Sequence, residues 1–410
     1  MDNQDLDPLA AGRPDQPIIN EYQHLERQDP AQRREVEARK LNVILGHAAD
    51  VFPDGYDLIP VGDEGFIVRN HTHPVEPDAD WVTFDLDDTL INYSEAKRAR
   101  SAAYAEYLSD RDIDFDAKLQ GAVIAAADRF SRWTEPGGSS VTYHLSAHIQ
   151  SADWLTAELA KIPANQRIDA LVSFEDHLEQ IKAGESAETD PFYFRDGRLI
   201  TRHRVPGDHG MEAVFRKSIA GGAPFDDTVD AMEQLSQVEP RLNIAVFTRG
   251  TPDFQLTKQI ELMRSRQIPV SEIWLTKDKK GDFFQTLAES DHAAFSGPNN
   301  ALVHLDDRAT DVASILMSRE SGTIGSAMVD VIHLWRPDST EAGILLSGGR
   351  ADGERNLTHN AETEGTGALV EKLVSALRDR LWTILETTQP AADRAKLIDR
   401  YQGYERYLKH

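Results

Sequence analysis

Asp85 and Asp87 stand two residues apart, directly after the apolar, β-prone run Trp81-Val82-Thr83-Phe84. Carboxylates held this close repel one another unless one binds a proton or a cation lies between them. Phosphoryl transfer can use such a pair. One carboxylate attacks phosphorus, and its neighbour protonates the leaving oxygen and later takes a proton from water. The same spacing also suits aspartates that only form the turn at a strand end. Two more apolar runs end in polar residues: Leu242-Asn243-Ile244-Ala245-Val246-Phe247 gives way to Thr248-Arg249-Gly250, and Ala301-Leu302-Val303-His304-Leu305 to Asp306-Asp307-Arg308.

Groups at separate strand ends do chemistry together only if a fold gathers them. After the second run, Thr251-Pro252 offers an N-cap and first helical position for a helix through Leu256, Ile260 and Met263. After the third, Asp311 precedes Val312, Ile315 and Leu316 on one helical face, and a fourth apolar run, Val329 to Trp335, closes at Arg336-Pro337. Strand alternating with helix predicts an α/β class fold, a doubly wound, Rossmann-like parallel sheet whose ligand lies beyond the carboxyl ends of the strands.

The stretch between the first two strands is far longer than a crossover requires. Helical patterns at Ala102 to Leu108, Leu119 to Phe130, Leu155 to Ile162 and Ile168 to Ile181 predict a large, mainly helical cap over 96–235, placed over the strand ends. Gly and Pro mark a loop at Glu135-Pro136-Gly137-Gly138 and a return hinge at Gly221-Gly222-Ala223-Pro224. The core is then 76–95 with 236–345. Residues 1–75 read as an N-terminal extension, disordered to about residue 30, then helical through Val36, Leu41, Ile44 and Leu45, with a short strand at Gly65 to Arg69. Residues 346–410 read as a linker to about residue 364 followed by helices at 367–386 and 391–408.

Across 410 residues, 69 Asp and Glu face 44 Lys and Arg, a formal charge of -25 that disfavours duplex nucleic acid as a partner. There is no cysteine, so any metal must take oxygen or imidazole ligands, and oxygen ligands favour magnesium or a close substitute. The N-terminal residues lack an export signal and no apolar run is long enough to span a membrane, which predicts a cytoplasmic protein without a membrane partner.

Phe84-Asp85-Leu86-Asp87-Asp88-Thr89-Leu90 resembles the first motif of the haloacid dehalogenase-like hydrolase superfamily, D-x-D-x-T after an apolar run. Val246-Phe247-Thr248 resembles its second motif, continuing as Thr248-Arg249-Gly250-Thr251-Pro252-Asp253-Phe254-Gln255, and Asp306-Asp307 with Asp311 resembles its fourth. The resemblance covers roughly 78–95 and 224–337. It implies that Asp85 is the nucleophile, becoming an aspartyl-phosphate, that Asp87 is the general acid and base, and that Thr248 donates to a phosphate oxygen. It further implies a magnesium ion on the Asp85 carboxylate, the Asp87 backbone carbonyl and Asp307, with Asp306 or Asp311 fixing metal-bound waters. The third motif is a lysine, with Lys277, Lys279 and Lys280 as candidates; Lys280 suits a helix start ahead of Phe284 and Leu287 and is favoured, while Lys277 resembles the K-P-D-x-x-x-F variant without its Pro.

An acid at position 87 points to a phosphatase or phosphomutase, because dehalogenase-like members lack one there. The insertion corresponds to a type one cap, and the expected substrate is a small phosphorylated metabolite or nucleotide. Phosphoryl transfer to another acceptor uses the same residues, and a non-catalytic binding protein on this fold is a further alternative. Arg308 gives a D-D-R sequence resembling the phosphatase module of polynucleotide kinase-phosphatases, although a surface arginine reads the same way. Arg98, Arg100, Arg202, His203 and Arg204 are cap cations that read equally as solvated charges, and His144 with His148 make an incomplete metal pair.

Overall fold

A computed structural model describes residues 30–409, apart from 64, 135–140, 144, 183–184, 186–191, 196–197, 202–209, 212, 216–221, 291, 296–299, 323, 325–328, 337–357 and 388–390. Packing divides the chain into two units, one of residues up to His47 with Glu95–Gly222, the other of Ala48–Ser94 with Ala223 onward. The expectations for Arg202, His203, Arg204, His144, the loop at 135–138 and the tail before residue 30 lie outside the described residues.

In the first unit, α1 (Pro30–Gly46) precedes α2 (Tyr93–Ser109), α3 (Ala117–Phe130), α4 (Leu145–Ala160) and α5 (Arg167–Lys182). Asp116 caps α3 by accepting from the Leu119 N–H at 2.7 Å. Apolar faces from the middle helices close around Tyr104, Phe130, Leu155 and Leu159. Arg98 pairs with Glu95 on the exterior, Arg100 lies 5.7 Å from the Phe215 ring, and His148 is fully buried with its ring 4.4 Å from Phe215. His148 is a core histidine.

The second unit is built on eight strands: β1 (Tyr56–Val61), β2 (Gly65–Asn70), β3 (Asp80–Phe84), β8 (Leu242–Arg249), β9 (Glu272–Thr276), β10 (Leu302–Asp306), β11 (Val329–Trp335) and β12 (Thr358–Asn360). Hairpins β4 (Arg132–Thr134) with β5 (Val141–Tyr143), and β6 (Phe192–Arg195) with β7 (Arg198–Thr201), belong to the first unit. The sheet order is β1-β2-β9-β8-β3-β10-β11-β12. From β9 to β12 every pair is parallel. Between the strands run α6 (Asp226–Leu235), α7 (Pro252–Ser265), α8 (Lys280–Glu289) and α9 (Ala309–Glu320), followed by α10 (Thr366–Thr387) and α11 (Ala391–Tyr407).

Parallel β3 has no exposed residue, as expected of a strand covered on both faces, which is why its sequence from Trp81 to Phe84 carries no charge. Beneath the sheet's aromatic side, Phe247 lies 5.7 Å from Trp274 and 5.1 Å from Phe284. Each such ring contributes roughly 1.5–3 kcal/mol on burial.

Several expected boundaries are corrected. The sheet is mixed, because β1 and β2 form an antiparallel hairpin whose second strand pairs antiparallel with β9. Residues 56–70 therefore belong to the core rather than to an N-terminal extension; Gly62, at φ 56°, takes the left-handed conformation their tight turn requires. Helix α6 falls in the second unit, not in the cap, since its buried face packs against α10 and Thr228 Oγ1 donates to the Thr89 carbonyl at 2.7 Å. Thr358–Asn360, expected as linker, extends the sheet beside β11. Among the described residues no helix is long and apolar enough to cross a membrane.

Candidate active site

The central strand β3 is flanked by β8 on one side and β10 on the other, so the chain leaves β3 toward one edge and later returns to the opposite side. A crevice at the carboxyl ends of the strands follows from that reversal. Register places Phe84 beside Val246 and Leu305, and the Asp85 N–H donates to the Leu305 carbonyl at 2.8 Å. Asp85, Thr248, Asp306 and Asp307 are thereby brought to one end of the sheet.

Past Asp85 the chain makes a tight turn. The N–H groups of Leu90 and Ile91 both donate to the Leu86 carbonyl at 2.9 Å, and Asp88, at φ 58°, adopts a left-handed conformation that aspartate tolerates. Thr89 Oγ1 then donates to Asp307 Oδ1 at 3.2 Å. The first motif is thus bonded to the fourth.

Lys280 opens α8 and is completely buried, with Nζ 2.5 Å from Asp85 Oδ1 and 2.7 Å from Asp306 Oδ2. Gly281 lets the helix start come this deep, because a Cβ there would lie 2.3 Å from the Ser314 carbonyl oxygen in α9. Lys279 is exposed and Lys277 half-buried. Burial alone would lower the Lys280 pKa; Asp306, Asp85 and Asp311 more than reverse this, and the ammonium stays charged.

Burial raises the Asp85 carboxyl to about 7 against the opposing pull of Lys280, and Asp306 and Asp87 add to the rise. Asp306 moves the other way: burial would raise it, but Lys280 and His304 hold it well below the usual carboxylate range. Burial, with Asp85, Asp306 and Asp88 nearby, pushes Asp307 up to about 9.

These three acids fit a divalent cation. Carboxylate oxygens of Asp85, Asp306 and Asp307 lie within 4.8 Å of one another, and Asp85 Oδ2 is buried with no hydrogen-bond partner among the described residues. Hard oxygen donors of this kind suit magnesium. Asp306, expected only to fix metal-bound waters, stands in this cluster with Asp85 and Asp307. Asp311 is buried with its Oδ1 2.7 Å from an Arg249 nitrogen, while Arg308 is partly exposed and 4.0 Å from Asp311. Thr248 is buried at the end of β8.

Two features escaped the sequence. His304, on β10, is buried with Nδ1 2.8 Å from Thr83 Oγ1 and Nε2 3.0 Å from Asp306 Oδ2. Burial, then Lys280, lowers its pKa, so the neutral ring donates from Nε2 to the carboxylate and accepts from Thr83. Its position inside an apolar run was the available signal. Lys258, on α7, is buried and its ammonium contacts both carboxylate oxygens of Asp87. Positions 255, 258, 259 and 262 are all buried, so the buried face of α7 carries polar residues, a pattern that apolar periodicity does not reveal.

No family model matches the chain, and no curated protein matches it. Among solved structures, it is similar to a 2-haloacid dehalogenase from Pseudomonas syringae pv. Tomato, with 15% identity over 72% of this chain and 99% of that one, at a TM-score of 0.37. A haloacid dehalogenase-like family hydrolase from Xanthomonas campestris has 17% identity over 73% of this chain and 98% of that one, at 0.35. A HAD family hydrolase from Deinococcus radiodurans, with bound phosphate and sodium, has 13% identity over 73% and 99%, at 0.32. The chain resembles the haloacid dehalogenase-like hydrolases through its motif residues and the parallel strands that carry them.

Proposed function

We propose that the protein is a magnesium-dependent phosphohydrolase that cleaves phosphate monoesters through an aspartyl-phosphate on Asp85. The observation that carries this reading is the state of Asp85: Oδ1 is held by Lys280 at 2.5 Å, while Oδ2 is buried beside Asp306 and Asp307 with no hydrogen-bond partner among the described residues. A carboxylate so fixed is held in one orientation beside the acids that would hold the cation. In the first half-reaction an Asp85 oxygen bonds phosphorus, the ester P–O bond breaks, and Asp87 gives the leaving oxygen its proton. In the second, water attacks phosphorus as Asp87 takes its proton, and Asp85 is released.

Asp85, Asp306 and Asp307 would hold the cation, with the Asp87 backbone carbonyl as the motif implies, and the cation would neutralise phosphate charge. Lys280 orients Asp85 and adds positive charge near the phosphoryl oxygens, and the Thr248 hydroxyl donates to one of them. A dehalogenase needs no acid at position 87, so Asp87 favours phosphate esters, and the substrate is a small phosphorylated metabolite or nucleotide.

The test is phosphate release from p-nitrophenyl phosphate and a panel of phosphorylated metabolites, with magnesium, with EDTA and with Asp85→Asn. Release that needs magnesium and disappears in Asp85→Asn is expected. Equal rates for wild type and Asp85→Asn would overturn the reading.

A further inference from the structure

We propose that Lys258 is the positioning residue for Asp87, fixing the orientation of its carboxylate for both proton transfers; the inference rests on the phosphatase reading above. Asp85 and Asp87 are each served by a separate lysine, Lys280 and Lys258. Their surroundings differ. The Asp85 side chain is 5% exposed and confined by the sheet, whereas that of Asp87 is 31% exposed. Partly open to solvent, Asp87 is less confined by packing than Asp85.

Lys258 supplies the constraint. Its side chain is 5% exposed, rooted in the buried face of α7, and its ammonium lies 4.8 Å from the Phe254 ring and 5.8 Å from the Tyr93 ring. Lysine is almost never buried without pairing, and here the partner is both oxygens of Asp87. Two contacts from one ammonium hold the carboxylate group in place against α7, and each oxygen keeps a lone pair for proton traffic. Gln255 Nε2 stands 3.4 Å from Asp87 Oδ2 and 3.4 Å from the Arg249 carbonyl, a second reach from the same helix.

Orientation matters because proton transfer works only within hydrogen-bond reach, and a misplacement of about 1 Å can cost roughly 10²-fold in rate. Lys258 itself neither gives nor takes a proton in either half-reaction. Its removal therefore affects the steps in which Asp87 moves one.

Leaving groups separate this role from a structural one. A p-nitrophenolate departs without needing a proton, whereas an alkoxide does not, and kcat/KM reports the steps through formation of the aspartyl-phosphate. For Lys258→Met, of similar length, kcat/KM on glycerol 2-phosphate should fall by about 10²-fold and on p-nitrophenyl phosphate by less than about 10-fold, with Lys258→Gln behaving alike. Lys258→Arg should restore most of the alkyl-ester activity. Equal losses on both esters, an effect confined to KM, or no rescue by arginine would overturn the inference. If wild type releases phosphate from neither ester, the phosphatase reading fails and takes this inference with it. If wild type cleaves both and Lys258→Met matches it, only the role of Lys258 falls.

Discussion

Lys280 and Asp306 meet at 2.7 Å with neither side chain exposed, and the same ammonium is 2.5 Å from Asp85. Removing one member of a buried ion pair leaves its partner charged and desolvated, at a cost of roughly 3–5 kcal/mol. Lys280→Met should therefore lower the unfolding free energy by an amount in that range, seen as a lower urea midpoint with the m-value unchanged. Adding Asp306→Asn should recover part of the loss, because it removes one of the stranded charges. A single variant within about 1 kcal/mol of wild type would contradict the pairing.

The three acids predict a measurable response to metal. Asp85, Asp306 and Asp307 repel one another, and a cation bound only by the folded state stabilises it by about 2.7 kcal/mol at a hundredfold excess over its Kd. After EDTA treatment, added magnesium should raise the Tm of wild type and leave Asp307→Asn nearly unmoved. The same shift in both proteins would place the cation elsewhere.

The strand tips were legible because buried parallel strands are mostly apolar and turn polar at the ends where a ligand would sit. Asp85, Thr248 and Asp307 therefore stand out, and the helical spacing of Phe284 and Leu287 favours Lys280 over Lys277 without deciding between them. Strand β9 was missed because Glu272 interrupts an otherwise apolar run. That glutamate is buried only because Arg69, Trp274 and His292 all bond to it, at 2.9, 2.7 and 2.9 Å, and two of these come from distant parts of the chain. Lys258 was missed for the same reason: its partner lies on another element, and no local pattern announces a pairing formed across the fold.

The last helix, α11, is tied to β3, the strand that leads into Asp85. Arg400 donates to Asp80 Oδ1 at 2.5 Å and Tyr404 to Asp80 Oδ2 at 2.7 Å, while Asp80 itself is fully buried at the start of β3. Arg400→Ala should cost roughly 3–5 kcal/mol by stranding that carboxylate. Asp80→Asn in the Arg400→Ala background should regain stability, since it removes the uncompensated charge. Urea unfolding of the single and double variants decides this, and an additive loss would refute it.

His148 gives the first unit an acid sensitivity whose sign is fixed. Burial holds its pKa well below the ordinary imidazole value, with Arg100 and Arg132 adding to the depression against a hydrogen bond at the Ile124 backbone; Asp128 lies 3.7 Å away. The folded state thus keeps the ring neutral, while the unfolded chain protonates it below about pH 6.5. Because the unfolded state then binds the extra proton, stability falls as pH drops below that value and is unaffected by this group above it. The loss from this one residue can reach at most about 1.4 kcal/mol per pH unit below 6.5. His148→Gln keeps a hydrogen-bonding side chain but cannot titrate, so its stability should decline less between pH 7.5 and 5. Groups common to both proteins cancel in the difference, and parallel curves from pH 8 to 5 would show that His148 is not held neutral in the fold.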